Sequence, residues 1–333
     1  MTNSENKDEL GLYLAEKFMN FHYDNPMVLI STFKNQVMKS CEYSFSTSLK
    51  LECETEESDV KIVRHALHCC QEEYSTVVVK TIDYDVLVLL LSHFGGGTTA
   101  IRSEFNLFAD LSSHNSEKWY NVIDLSNEMG KSMCQGLLFF YTFTGCDNVS
   151  SFHGVGKCSW WDAWMKYVSK DALIDVFTKC NQQPDAISND DIDLIADFVK
   201  SVYYPGESDY SLTSMANLRL KYFMNRADEN LKKIGPSYAA PKKHVMRACY
   251  QSGYLWSECH SDIELPDPCQ WGWKRNDANG LVPEWLPAGM DIVHEKLLTT
   301  CQCKTNKCKN CKCAKLKIQC LPLCKCFKEC TRN

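Results

Sequence analysis

Nine cysteines close this chain: Cys301, Cys303, Cys308, Cys311, Cys313, Cys320, Cys324, Cys326 and Cys330, with no histidine among them. Their spacing is C-x-C-x4-C-x2-C-x-C-x6-C-x3-C-x-C-x3-C. A dense cysteine run at the end of a long chain points to metal binding, because disulfide scaffolds belong to small secreted proteins. Structural zinc takes four thiolates in a tetrahedron. Three ions need about twelve ligand positions, which nine cysteines supply if three of them bridge two metals each. The segment is therefore expected to fold around about three zinc ions and not around a hydrophobic core.

From Cys301 onward there are eight Lys and one Arg against one Glu, a charge of +8. The other residues carry 27 basic and 41 acidic side chains, a charge of −14. Nine thiolates around three zinc ions leave the module at about +5. A basic tail on an acidic body points to contact with a polyanion, with Lys304, Lys307, Lys309 and Lys312 as candidate contacts. The body's sign argues against broad phosphate contact there.

A second set of chemically capable residues is acidic. Glu57 and Asp59 stand at the start of an expected helix, Asp83 and Asp85 directly follow an expected strand, and Asp147 follows a helix in the run TGCDNVSSFHGVGK. Sites in open α/β sheets form beyond the carboxyl ends of strands. Carboxylates converging there hold Mg2+ or Mn2+, and two such ions about 4 Å apart activate water and stabilise the leaving oxygen in phosphodiester cleavage. An acid at a helix start is also an ordinary cap.

The tail resembles the tesmin-type CXC domain, a three-zinc module that binds DNA in some chromatin proteins. The nine cysteines match in order. The gap between Cys308 and Cys311 is shorter than is usual in that family, and Lys309 and Asn310 stand where a minor-groove Tyr is expected. The acids resemble the PIN-like nucleases of the flap-endonuclease and XPG group. Glu57/Asp59, Asp83/Asp85 and Gly145/Asp147 follow that family's order, with Gly154, Gly156 and Lys157 in its glycine turn. The resemblance implies that the five acids are catalytic metal ligands and that the glycine turn grips duplex backbone, Lys157 adding a phosphate contact. The family also has an Asp near its N-terminus and one after its second strand. No Asp follows Met27–Thr32, where Ser31 and Thr32 stand, and the first strand is missing, as though the chain begins inside the domain. The combination, with the segments KKHVMRACYQSGYLW and WGW, resembles transposon-associated animal proteins that join the two modules.

The elements that must position these residues follow from periodicity. Leu10, Leu14, Phe18 and Phe21 predict an opening amphipathic helix, and Met27–Thr32 a buried strand. Asp59–Glu73 is an expected helix, Val77–Ile82 a strand, and Val86–His93 a helix broken by Gly95–Gly97. Tyr120–Asp124 is expected as a short strand and Lys131–Phe143 as a helix ending at Gly145. This alternation predicts an α/β fold with a mainly parallel sheet. Trp160–Lys233 reads as mostly helical, with a start at Asn189, Asp190 and Asp191, and residues 235–290 show no clear periodicity. The expected organisation is a PIN-like domain over 1–160, incomplete at its N-terminus, a helical extension over 161–235, a Trp/Pro-rich connector over 236–298 and the zinc module over 299–333.

Weaker signals are read as structural. His65 and Cys69 share a helix face, and Cys249, Cys259, His260 and Cys269 have zinc-ligand types but long separations. Trp256, Trp271, Trp273 and Trp285 are expected to pack rather than stack on bases. No apolar run approaches a membrane span and the polar start lacks a signal-peptide layout, so a nuclear, membrane-free protein is expected. The functional expectation is a zinc-containing protein associated with DNA and chromatin proteins, whose nuclease-like domain is vestigial. An active Mg2+- or Mn2+-dependent nuclease tethered by its tail, and a zinc-dependent protein-interaction module, are the alternatives.

Overall fold

Local chemistry sets the element bounds in the computed structural model. It describes residues 4–20, 28–33, 36–40, 50–53, 55, 57–72, 74–206, 210, 214–225, 234–237, 239–260, 263–277, 280–285, 301–303, 311–315, 320 and 324–326. In chain order the elements are helix α1 (Ser4–Met19), strands β1 (Ile30–Phe33) and β2 (Gln36–Lys39), α2 (Ser58–Gln71), β3 (Thr76–Lys80), α3 (Tyr84–Gly95), β4 (Asn106–Asp110), β5 (Trp119–Asn121), α4 (Val122–Met129) and α5 (Lys131–Phe143). There follow α6 (Lys157–Lys166), α7 (Lys170–Gln182), α8 (Asn189–Tyr203), α9 (Met215–Asn225), α10 (Ala239–Cys249), β6 (Trp273–Arg275), β7 (Leu281–Pro283) and the helical turn α11 (Lys312–Lys315). No helix among the described residues is long and apolar enough to cross a membrane.

The chain divides into two units. The first comprises Met1–Ser150, Ser169–Ile187 and Arg247–Asp267, and the second Ser151–Val168, Ser188–Met246 and Pro268–Asn333. Residues read as helical extension and connector thus contribute α7 and the segment after α10 to the first unit. In that unit α3 carries Val86, Leu87, Leu89, Leu90, Leu91 and Phe94, all buried. Such an all-round apolar helix is stable only inside a core, and α2, α4 and α5 pack around it. Phe139 and Phe143 of α5 meet Phe177 of α7 with ring centroids 5.1 and 6.4 Å apart.

The fold is mixed α/β, with small sheets. β3 pairs parallel with β4, joined through α3 in a strand–helix–strand unit, and β4 pairs antiparallel with β5. β1 and β2 form a separate antiparallel pair, as do β6 and β7. A predominantly parallel sheet is not seen among the described residues, where β3–β4 is the parallel pair. Two residues separate β1 from β2 in sequence, too few for the crossover that parallel pairing demands.

Other expectations shift locally. The strand expected over Tyr120–Asp124 stops at Asn121, whose side chain caps α4 by accepting from Ile123 and Asp124 N–H. The strand expected over Met27–Thr32 begins at Ile30, and Met27 lies outside the described residues. Helix α1 forms, yet Leu10, Leu14 and Phe18 are exposed; Phe21 lies outside the described residues. The face that packs carries Gly11 and Ala15, because the Phe33 ring approaches Gly11 so closely that a Cβ there would sit 2.4 Å from it. Helix α10 falls within the supposedly aperiodic region. Its Pro241 lies in the first turn, where a missing N–H costs no hydrogen bond.

In the second unit Trp160 and Phe198 are fully buried with centroids 5.4 Å apart. Helix α8 starts as its acids suggest: Ser188 Oγ accepts from Asp191 N–H at 3.2 Å and Asp191 accepts from Ser188 N–H at 2.7 Å, a reciprocal cap.

Candidate metal centre

Three local devices bring the predicted acids together in the first unit. β3 ends at Lys80, and Asp83 caps α3 by accepting from Asp85 N–H at 2.9 Å. Both acids thus leave the carboxyl end of a strand in the parallel pair. After α5, Gly145 adopts φ +115°, a region that side chains resist, and Cys146 and Val149 exchange backbone hydrogen bonds of 3.0 and 3.2 Å. Asp147 sits in the tight loop between them. Glu57 and Asp59 flank the start of α2.

Glu57 occupies the cap position of α2 but makes no cap hydrogen bond with its side chain. Asn148 Nδ2 donates to Glu57 Oε1 at 2.8 Å, and Gln251 Nε2 donates to the same oxygen at 3.4 Å. Asp85 Oδ1 accepts from the Tyr141 hydroxyl at 2.6 Å. Burial, reinforced by Asp85 and Asp83, keeps that phenol protonated and therefore a donor. Two of the carboxylates are thus held by neutral donors that fix their direction without cancelling their charge.

The outcome is concentrated at Asp59. Partial burial raises its pKa to about 6, and the negative fields of Asp83, Asp85, Glu57 and Asp147 add to the effect in that order. All five predicted acids therefore share one electrostatic neighbourhood, although they are distributed over some ninety residues of sequence. Carboxylates suit a hard divalent cation such as Mg2+ or Mn2+, although the described donor groups already within 4.8 Å of one another are of cysteine and histidine. Asp110 ends the neighbouring strand β4 but is committed elsewhere, to Ser112 N–H at 2.8 Å and Lys80 Nζ at 2.9 Å. Thr32, where the nuclease resemblance calls for an acid, shares a 3.0 Å hydrogen bond with His65 Nε2.

The cysteine tail lies in the second unit. Cys301, Cys313, Cys320, Cys324 and Cys326 are buried against one another, with Cys303 and Cys311 packed on them. Among the described residues of the tail, sulfur is thus the core. Sγ–Sγ separations are 3.4 Å for Cys301–Cys326, 3.9 Å for Cys301–Cys320, 3.7 Å for Cys320–Cys326 and 3.6 Å for Cys313–Cys324. A disulfide needs about 2.05 Å, whereas the edge of a zinc–thiolate tetrahedron with bonds of about 2.3 Å is roughly 3.8 Å. The donor set therefore fits zinc.

Cys301 joins two overlapping ligand groups, one with Cys311, Cys313 and Cys320 and one with Cys303 and Cys326, as a bridging thiolate would. The Ala314 N–H donates to Cys311 Sγ at 3.4 Å and, as the main cause, lowers its pKa to about 7. Burial and the neighbouring Cys324 push Cys313 up to about 12. Lys312 is exposed on α11; Cys308, Cys330, Lys304, Lys307 and Lys309 lie outside the described residues.

Gly154 has φ +78°, and Gly156 precedes α6, which starts at Lys157. A Cβ at either glycine would meet nothing within 4 Å, so open space faces both. These residues belong to the second unit and the acids to the first. Tyr141, Asn148 and Gln251 were not singled out by sequence reasoning. Asn148 has a sequence cue, its adjacency to Asp147, but Gln251 has none. Comparison with known proteins returns no match, whether to a family model, a curated protein or a solved structure.

Proposed function

We propose that the chain is a nucleic-acid-associated protein whose PIN-like first unit keeps a divalent-cation site without cleavage, and whose cysteine tail holds about three structural zinc ions and anchors to DNA. The observation that carries the cation site is the convergence of Asp83, Asp85, Glu57 and Asp147 on half-buried Asp59. A bound Mg2+ or Mn2+ supplies the positive charge that five carboxylates lack. Glu57, positioned by Asn148 and Gln251, and Asp85, positioned by Tyr141, are the oriented ligands. The lack of cleavage is argued from Thr32, whose hydroxyl pairs with His65 and carries no charge. The tail's DNA role rests on its +8 charge against the −14 of the rest, and a nuclear location in contact with chromatin follows from that role.

A second reading is an active nuclease. It is favoured by Asp59, whose pKa near 6 lets it exchange a proton close to neutrality. One experiment separates the readings. Mg2+ or Mn2+ at about a hundred times its dissociation constant should raise the melting temperature by roughly 5 °C. Asp83→Asn combined with Asp147→Asn should abolish the rise. No rise in the unsubstituted chain refutes the cation site. Mn2+-dependent cutting of flap or duplex DNA that disappears in the double variant establishes the second reading.

A further inference from the structure

A different donor set, made of His93, Cys259 and His260, lies in the first unit. Helix α3 is apolar almost throughout, yet its last turn buries His93. After α10 the chain winds through a wide turn, Tyr250–Tyr254, and a tighter one, Leu255–Ser257. This path brings Cys259 and His260 to His93. One ring nitrogen of His93, one of His260 and Cys259 Sγ all lie within 4.8 Å of one another.

The tautomer of His93 follows from its neighbours. His93 Nε2 is 3.1 Å from the Trp256 carbonyl oxygen, which can only accept. Nε2 therefore carries the proton, and Nδ1 presents a lone pair. That lone pair points to His260 Nε2 at 2.9 Å. A ring N–H held by a backbone carbonyl, with the other nitrogen facing further donors, is the arrangement that orients metal-binding imidazoles. A simple His–His hydrogen bond would need only two residues. The third donor, Cys259, is fully buried, and its sulfur rests 3.5 Å from the same Trp256 carbonyl.

We propose that His93 Nδ1, His260 Nε2 and Cys259 Sγ bind one zinc ion, which fastens the segment after α10 to the end of α3. Tetrahedral zinc with bonds of about 2.0 Å to nitrogen and 2.3 Å to sulfur sets donor–donor edges of roughly 3.3 and 3.6 Å. The two imidazoles need to part by only about half an ångström from their present contact. Binding takes the thiol proton of Cys259 into solvent and turns His260 to the tautomer protonated on Nδ1. His260 is half-buried, so a water can complete the fourth position.

The test uses the full chain purified with zinc under reducing conditions. Zinc analysis and zinc-edge X-ray absorption are compared among the unsubstituted chain, His260→Ala and Cys259→Ser. The tail contributes only sulfur, so imidazole scattering that is lost in His260→Ala reports on this site. The expected result is an imidazole contribution in the unsubstituted chain, and loss of that signal with about one zinc per chain in each variant. Absence of imidazole scattering in the unsubstituted chain, or an unchanged zinc count in folded His260→Ala, would overturn the proposal. Circular dichroism confirms the fold, and His260→Ala alone decides if Cys259→Ser does not fold.

Discussion

The Tyr141 hydroxyl donates to Asp85 Oδ1 at 2.6 Å, tying the final turn of α5 to the start of α3. It links a neutral donor to one of the clustered acids. In Tyr141→Phe the ring still fills its place but the donor is gone. Divalent-cation affinity should fall by about tenfold or more, as when a partner of a ligating carboxylate is lost. Titrating Mg2+ against melting temperature gives the apparent Kd, and an unchanged value would show that Asp85 is not a ligand.

Asp59 sets a pH dependence with a defined sign. Its folded pKa, about 6, lies above the ordinary 3.8. Its contribution to stability is therefore complete below about pH 4 and lost as pH rises through 6. Without divalent cations, Asp59→Asn should melt a few degrees higher than the parent at pH 7.5 and about equally at pH 4. With saturating Mg2+ the order at pH 7.5 should reverse. Melting curves at the two pH values, with and without the ion, check both halves.

His65 acts in the opposite sense. Burial, with a contribution from His68, lowers its pKa to about 4 from 6.5. Its contribution is present above pH 6.5 and lost as pH falls towards 4. His65→Gln should flatten this limb, so that the variant gains on the order of 2 kcal/mol relative to the parent between pH 7.5 and pH 4.5. Urea denaturation at both values measures it. A constant difference between the two chains would mean that His65 does not drive the acid limb.

Removing the tail from Cys301 onward should cost about three zinc ions per chain and most of the DNA affinity. Affinity of the full chain should drop steeply between about 50 and 200 mM salt, because lysine contacts release counterions. Metal analysis and fluorescence anisotropy on both chains decide the matter. Equal DNA affinity with and without the tail would move the nucleic-acid surface elsewhere.

The acids were legible in the sequence because each sits at a punctuation point: after β3, at the start of α2, or after α5. Residue type and local order suffice there. Sheet topology was less legible, since a short strand such as β5 carries no mark of its direction and pairs antiparallel through a brief return from β4. Helix α1 was visible as a period, but its packed face was not, because Gly11 and Ala15 pack by being small. The supports of the site were hidden for another reason. Gln251 meets Glu57, and His93 meets Cys259 and His260, only after the chain has passed through the first two segments of the second unit. No local pattern encodes such meetings.

The first unit's three-segment make-up also dictates when it can be completed at the ribosome. Strands β3 and β4 emerge early, but α7 follows only after α6, and Arg247–Asp267 only after α8, α9 and most of α10, have been made. Until then Phe139 and Phe143 lack the Phe177 ring they pack on, and Glu57 lacks its second donor. A nascent chain paused near residue 160 therefore exposes aromatic surface of the sort that chaperones recognise.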